Sequence, residues 1–150
     1  MNVRRGDIVL VDFPYSDHTG SKVRPALVVQ ADVWNQRLDD TILALITSSR
    51  RRRMGATTQF VIDIATTEGQ QTGLRLNSVV QCENLITYDR TLILRVLGRL
   101  TTSALQQIDA CLKAALDIPL GHLGSDAMAL IQRSRRRKAR GESGAYPRCT

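Results

Sequence analysis

The sequence is poor in the residues from which most metal sites and catalytic triads are built. It contains two histidines, His18 and His122, which lie far apart without any ligand spacing, and its three cysteines form no CxxC motif. The GxGxxG, Walker, HExxH and GxSxG motifs are also absent. These absences argue against a zinc site, a disulfide framework, a nucleotide cofactor and a serine-hydrolase triad. We expect a protein that uses neither a metal nor another cofactor.

Aromatic residues and long apolar runs are scarce as well. The 150 residues include one tryptophan, three tyrosines and two phenylalanines, so the core must be aliphatic. No apolar stretch approaches the roughly 20 residues that a membrane span requires. The first apolar run is interrupted by Asp12, unlike the central segment of a signal peptide. We therefore expect a soluble, cytoplasmic protein without a membrane partner.

Positive charge is abundant, and it is concentrated in two places. The formal net charge is +7, but residues 1–118 carry 14 cationic and 12 anionic side chains, whereas residues 119–150 carry 7 and 2. Within the first part, four consecutive arginines occupy positions 50–53. Cations grouped in one loop and one tail suit a polyanionic partner such as nucleic acid. A solubilising surface accounts for the composition equally well.

Short apolar segments with turn residues between them predict strands along the first two thirds of the chain. The predicted strands cover residues 6–13, 24–31, 41–48, 59–65 and 78–85, residues 69–73 form a loop, and residues 92–97 form a strand or a helical turn. Leu105, Ile108, Leu112 and Leu116 follow at helical spacing and predict a helix over residues 101–116. This pattern predicts a mainly β fold with some α structure, a small and partly open barrel closed by a C-terminal helix. We place this domain at residues 1–118 and expect residues 119–150 to be a basic extension, weakly helical and then disordered.

Arg24 and Thr47 stand out because they lie at facing ends of two predicted strands. Arg24 begins the second strand, and Thr47 and Ser48 end the third. In antiparallel neighbours these two ends meet at one edge of the sheet. A guanidinium offers five donors in a fork that suits phosphate, and a hydroxyl can donate to the same oxygen. The pair predicts a phosphate clamp, although a surface arginine beside a strand-end threonine is the more ordinary explanation of these residues taken alone.

Several segments together resemble the MazF/PemK family of toxin ribonucleases. The matching segments are RGDIV at 5–9, DFP at 12–14, GSKVRPALVV at 20–29, ITS at 46–48, SVV and ENL within 78–85, and GRL at 98–100. Their order and spacing hold over roughly residues 4–118. The opening GD with the following DFP, taken together with the GSKVRPALVV block, is specific for this family.

The resemblance implies an SH3-like barrel of the CcdB/MazF type with a C-terminal helix, usually assembled as a homodimer. It implies metal-independent cutting of single-stranded RNA, with Arg24 and Thr47 as the catalytic pair. It also implies neutralisation by an antitoxin whose acidic, partly disordered tail covers the RNA groove. Metal-free cutting uses the 2′-OH of the RNA as nucleophile and leaves a 2′,3′-cyclic phosphate and a 5′-OH. A guanidinium keeps its proton in proteins, so Arg24 suits charge stabilisation better than the role of general base.

Other polar residues near these strand ends are candidates for binding RNA. They are Ser48, Arg50, Arg51 and Arg52 after the third strand, Glu83 and Asn84 where the fifth strand becomes polar, and Asp17 and Thr19 in the first loop. Exposed polar strand residues are the commoner explanation of Glu83 and Asn84, and a solvated loop explains Asp17 and Thr19 equally well.

Two other functions remain open at this stage. One is a protein-binding toxin of the same fold that resembles the topoisomerase inhibitor CcdB. Such inhibitors depend on a tryptophan near the C-terminus, and no tryptophan follows Trp34. The other is a non-catalytic nucleic-acid-binding module that uses only the basic loop and tail.

Overall fold

The computed structural model describes residues 1–14, 17–49 and 55–119, and Met1–Ile118 form a compact unit. The chain order is β1 (Asp7–Pro14), β2 (Ser21–Val28), α1 (Asp32–Asn35), β3 (Asp40–Thr47), β4 (Gln59–Ile62), α2 (Thr67–Gln71), β5 (Ser78–Asp89), a short 3₁₀ helix (Arg90–Leu92), β6 (Arg95–Arg99) and α3 (Thr102–Ala115). None of the helices in these ranges has the length and apolar character needed to cross a bilayer.

The six strands form one antiparallel sheet in the order β4-β5-β3-β2-β1-β6. The sheet curls so that the end of α2, which follows one edge strand, lies against the other edge strand. Gly98 in β6 permits this approach, because a Cβ there would meet the backbone carbonyl of Gln71. Gly73 has a φ of +71° and faces the carbonyl of Leu97 in the same way. The predicted small β barrel with a C-terminal helix is confirmed.

Both faces of the sheet are covered by aliphatic side chains, because alternate residues of each strand point to opposite faces. On one face Ile8, Leu27 and Ile46 pack with Ala104 and Ile108 of α3. On the other face lies a second cluster, formed by Val3, Val9, Val11, Ala26, Val28, Leu43 and Ile93. Arg24 is two residues from Ala26, and Thr47 is four residues from Leu43. Their side chains therefore point to the second face.

The predicted helix over residues 101–116 is confirmed as α3, and its N-cap is Thr101, whose hydroxyl accepts from the Ala104 N–H at 3.2 Å. Several other boundaries differ from the prediction. β2 begins at Ser21 rather than Arg24, because pairing with β1 continues to Pro14 and Ser21. The predicted loop at 69–73 is wrong in part, since α2 runs to Gln71.

Three further elements also depart from the sequence-based prediction. β5 continues beyond the predicted end at Leu85 to Asp89, and residues 85–89 pair with residues 40–44 of β3. The segment over 92–97 divides into the end of the 3₁₀ helix and the start of β6. The one-turn helix α1 was not predicted. The expected structure of the extension from residue 120 onward lies outside the described residues, so that boundary stays a prediction.

Candidate functional site

A proline determines where β2 and β3 stop pairing. The Val29 N–H donates to the Ile42 carbonyl of β3, and the Val28 carbonyl accepts from the Gly6 N–H on the other side. Because backbone groups alternate in direction along a strand, the nitrogen of Pro25 faces β3. A proline nitrogen has no hydrogen to donate. Pairing of β2 with β3 accordingly ends at Ala26 and Leu45, whereas pairing with β1 continues through Pro25.

A pocket of about 490 Å³ lies where the two strands separate, within the range of roughly 300–1,000 Å³ that is typical of ligand sites. Its described lining combines three cations, four hydroxyl side chains and five apolar residues. These are Lys22, Arg24 and Arg75; Thr47, Ser48, Ser49 and Ser78; and Val23, Pro25, Ile46, Leu74 and Leu76.

Arg24 and Thr47 are the central pair of this pocket. Continuing the β2–β3 register by two residues beyond Ala26 and Leu45 puts Arg24 level with Thr47. Arg24 is half-buried, whereas Thr47 is only 7% exposed. The Thr47 hydroxyl accepts a hydrogen bond from the Ser49 N–H at 3.2 Å. Its own proton has no acceptor among the described residues, so it is available to donate to a ligand.

The electrostatic character of the pocket is positive. None of the described residues that line it is a carboxylate or a histidine. Arg5 and Arg99 are engaged elsewhere, with Asp109 at 2.6 Å and Asp7 at 3.2 Å, whereas the pocket cations have no ion-pair partner in the described part of the chain. Three unpaired cations with hydroxyl donors between them suit phosphate groups of a polyanion.

Comparison with known proteins assigns the chain to a family. Residues 4–116 match the model of a family described as the PemK-like, MazF-like toxin of type II toxin-antitoxin systems. The chain belongs to this family. It is 32% identical over 120 residues to Endoribonuclease MazF6 of Mycobacterium tuberculosis H37Rv, a match that covers 79% of this chain and 100% of the relative. Endoribonuclease MazF2 of Mycobacterium bovis matches with the same identity and coverage.

Solved structures share the fold of this PemK-like, MazF-like chain. An endoribonuclease in complex with its cognate antitoxin, from a mycobacterial species, has a TM-score of 0.63 at 21% identity, covering 79% of this chain and 99% of that one. A MazE–MazF structure from Deinococcus radiodurans has a TM-score of 0.61 at 19% identity, covering 79% and 100%. The predicted family and its CcdB/MazF-type fold are confirmed.

The structure brings some of the predicted RNA-binding residues to the pocket and leaves others outside it. Ser48 lines the pocket and is exposed. Arg50, Arg51 and Arg52 lie outside the described residues. Glu83 is on β5 but not in the pocket lining, and its carboxylate accepts from the Gln59 amide at 2.9 Å. Asn84 is half-buried beside it and also outside the lining.

Asp17 and Thr19 form a local turn in the first loop, away from the lining of the pocket. The Asp17 carboxylate accepts from the Thr19 hydroxyl at 2.7 Å and from the Thr19 N–H at 3.1 Å. These two bonds, the hydroxyl first, lower the pKa of Asp17 because they favour its ionised form. Asp17 therefore has partners within its own loop, and its role in RNA binding stays a prediction.

Arg75 is one of the polar pocket residues that sequence analysis missed, together with Lys22, Ser49 and Ser78. It lies in the segment between α2 and β5, which has no apolar periodicity and no motif of its own. A single arginine there is indistinguishable by sequence from any solvated loop cation. Only the curl of the sheet brings this loop beside the ends of β2 and β3. Among the described residues, no group of three His, Cys, Asp or Glu side chains is arranged to hold a metal ion.

Proposed function

We propose that this chain is an endoribonuclease toxin that cuts single-stranded RNA without a metal, with Arg24 and Thr47 at the reacting phosphate. One observation carries the proposal: Arg24 and Thr47 line the same cationic pocket. The 32% identity to mycobacterial proteins named endoribonucleases, over their whole length, supports the same activity.

The proposed reaction is an attack by the RNA on itself. The 2′-hydroxyl gives its proton to solvent water and its oxygen forms a bond to phosphorus, while the bond from phosphorus to the 5′-oxygen breaks. The 5′-oxygen takes a proton from Arg24, and the guanidinium regains that proton from the solvent. Negative charge grows on the non-bridging oxygens in the transition state. Arg24 stabilises this charge with its guanidinium and protonates the leaving oxygen, and the Thr47 hydroxyl donates to the same phosphoryl group. The products are a 2′,3′-cyclic phosphate and a 5′-OH.

The positive pocket also indicates the chemistry of a neutralising partner. We propose a cognate antitoxin with an acidic, disordered segment that occupies the pocket in place of RNA, since carboxylates and phosphates both pair with unpaired cations. We further propose that the toxin acts in the cytoplasm on messenger RNA.

A homodimer is supported by apolar side chains near one edge of the sheet. Leu92, Leu94 and Val96 are 58%, 52% and 41% exposed, in and just before the edge strand β6. Exposed apolar edges favour association. Sedimentation of the purified protein should give a dimer mass, whereas a monomer at high concentration would contradict this assembly.

The deciding experiment is end-mapped RNA cleavage in EDTA. Purified protein is incubated with a mixed single-stranded RNA, and the new ends are identified by their chemistry. Cyclic phosphate and 5′-hydroxyl ends are expected, at a rate that EDTA does not change. Cutting that requires added metal, or 5′-phosphate ends, would reject the mechanism. Binding without any cutting would favour a non-catalytic module.

A further inference from the structure

Arg75 is held in place by the loop that carries it. Gly73 turns the chain with its positive φ, and the neighbouring Leu74 packs against the core beneath α3. On the other side, the Asn77 side chain accepts from the Ile64 N–H at 3.0 Å, and the Ser78 hydroxyl donates to the Leu76 carbonyl at 2.8 Å. The backbone on both sides of Arg75 is therefore anchored, so its guanidinium starts from a defined point at the wall of the pocket.

The strand order separates Arg75 from Arg24. Thr47 pairs with Val79 of β5 on one side and lies level with Arg24 of β2 on the other. In the strand order, β3 lies between β2, which carries Arg24, and β5, which begins three residues after Arg75. Arg24 and Arg75 thus approach the pocket from opposite flanks of β3.

The charge of the described lining suits more than one phosphate. Lys22, Arg24 and Arg75 contribute three positive charges, and no described lining residue offsets them. One phosphodiester carries a single negative charge, which the guanidinium of Arg24 and the hydroxyl of Thr47 can satisfy. The cation on the far flank is then left without an anion unless a second phosphate reaches it.

We propose that Arg75 binds a second phosphate of the same RNA strand, adjacent to the one that is cut. This inference rests on the proposed function, because it takes the phosphate between Arg24 and Thr47 as the scissile one. Arg75 is a positioning residue: it holds the strand in register across the pocket and takes no part in proton transfer. The minimal substrate consequently carries two phosphates rather than one.

The test compares Arg75→Ala with Arg37→Ala, which removes the same charge at an exposed position beyond the opposite end of β3. Arg75→Ala should raise KM about fivefold with kcat within about twofold, the loss typical of one exposed ion pair. The slope of log K against log salt for a randomised 2′-O-methyl RNA pool should fall by about 0.7, the contribution of one phosphate in a single strand. Arg75→Lys should keep the slope, and Arg37→Ala should leave KM and slope unchanged.

The 2′-O-methyl pool cannot be cut by attack of its own 2′-oxygen, so binding is measured independently of activity. If the wild-type protein cuts RNA and Arg75→Ala matches it in KM and salt slope, the second phosphate site is wrong while the proposed function stands. If the wild-type protein binds the pool with the expected Arg75 dependence but cuts no RNA, the second site stands and the proposed function fails. A fall in kcat without a change in KM would also overturn the positioning role.

Discussion

A threonine hydroxyl can both accept and donate a hydrogen bond. At Thr47 a described residue uses only the accepting capacity of the hydroxyl. The oxygen accepts from the Ser49 N–H at 3.2 Å, which fixes the direction of the side chain at the end of β3. The remaining proton is free for a ligand within the described part of the chain. Serine and valine at position 47 should therefore have different effects on RNA cleavage, because only serine keeps the hydroxyl.

We expect Thr47→Val to reduce kcat for RNA cleavage by about 10²–10³, the usual effect of removing one donor to a developing oxyanion. Thr47→Ser should retain most of the activity. Thermal unfolding should show both variants folded, since the hydrogen bond from Ser49 contributes only about 1 kcal/mol to the free energy of unfolding. Equal activities for the valine and serine variants would exclude a donor role for this hydroxyl.

Arg24→Ala should abolish measurable cutting, because it removes the guanidinium that we propose stabilises charge at the reacting phosphate. Arg24→Lys keeps the charge but loses the planar fork of donors and is expected to recover only a small part of the rate. End-point cleavage of a mixed RNA with single-turnover kinetics measures both variants. Full activity of Arg24→Ala would place the chemistry elsewhere.

The residues of the site divide into those that sequence could suggest and those that it could not. Arg24 and Thr47 lie at strand ends, where apolar periodicity predicts the boundary and a short antiparallel connection brings the ends together. Arg75 depends on a long-range consequence of sheet curvature, which no local pattern encodes. Glu83 and Asn84 were proposed to bind RNA because their strand becomes polar. The polarity of a strand residue does not, however, indicate whether its side chain faces the pocket.

At the scale of elements, the contact between α3 and β5 connects the helix to the strand next to the β4 edge of the sheet. Cys82 of β5 and Cys111 of α3 meet in this layer, and both are buried. Burial, followed by the nearby Cys111 thiol, raises the pKa of Cys82 from an ordinary value of 9.0 to about 12. Burial also raises the pKa of Cys111. Both groups are therefore thiols rather than thiolates at neutral pH.

Iodoacetamide at pH 8 should leave Cys82 and Cys111 unmodified in the native protein and label both in urea, as measured by peptide mass spectrometry. The folded state keeps the proton of Cys82 that the unfolded chain releases above about pH 9, so folding stability should decline as the pH rises from 9 towards 12. If both cysteines were labelled in the native protein as fast as in urea, the layer between α3 and β5 would be accessible to the reagent.

The apolar face of α3 is the main source of its stability. Ile108 is fully buried between the helix and the sheet. Ile108→Ala should lower the free energy of unfolding by about 2–5 kcal/mol through lost burial and a residual cavity. The exposed neighbour in Gln107→Ala should change it by less than about 0.5 kcal/mol. Urea denaturation measures both, and similar effects for the two variants would contradict this packing.

The secondary structure was easiest to predict where one periodicity persists. The 3.6-residue spacing over α3 predicted that helix closely, and alternating runs located most of the strands. α1 and α2 escaped prediction because four or five residues are too few to show a period. The early start of β2 depends on its partner, since residues 21–23 are exposed and pair only because β1 continues opposite them.

For the whole molecule, positive charge in the segments beyond the described residues should control how RNA arrives. The sequence places four arginines at positions 50–53, soon after Thr47, and a net +5 in residues 119–150. We expect these cations to accelerate encounter with a polyanion without choosing its sequence. The basic extension remains a proposal about affinity rather than catalysis.

Replacing both Arg51 and Arg52 with serine should weaken RNA binding and reduce the salt slope by up to about 1.4, two phosphate contacts in a single strand. The single-turnover rate at saturating RNA should be unchanged. Filter binding across a salt series measures the slope. A slope equal to that of the wild type would show that these arginines do not contact RNA.

The site exists because β2 contains a residue that cannot complete the ladder toward β3. Leu27 and Val29 direct their amides at β3, and Pro25 occupies the next equivalent position. An alanine there would restore a donor opposite Ile46 and allow the two strands to join two residues further. One hydrogen atom, absent from one nitrogen, thus separates two strands that pair to their ends from two that part around a cationic pocket.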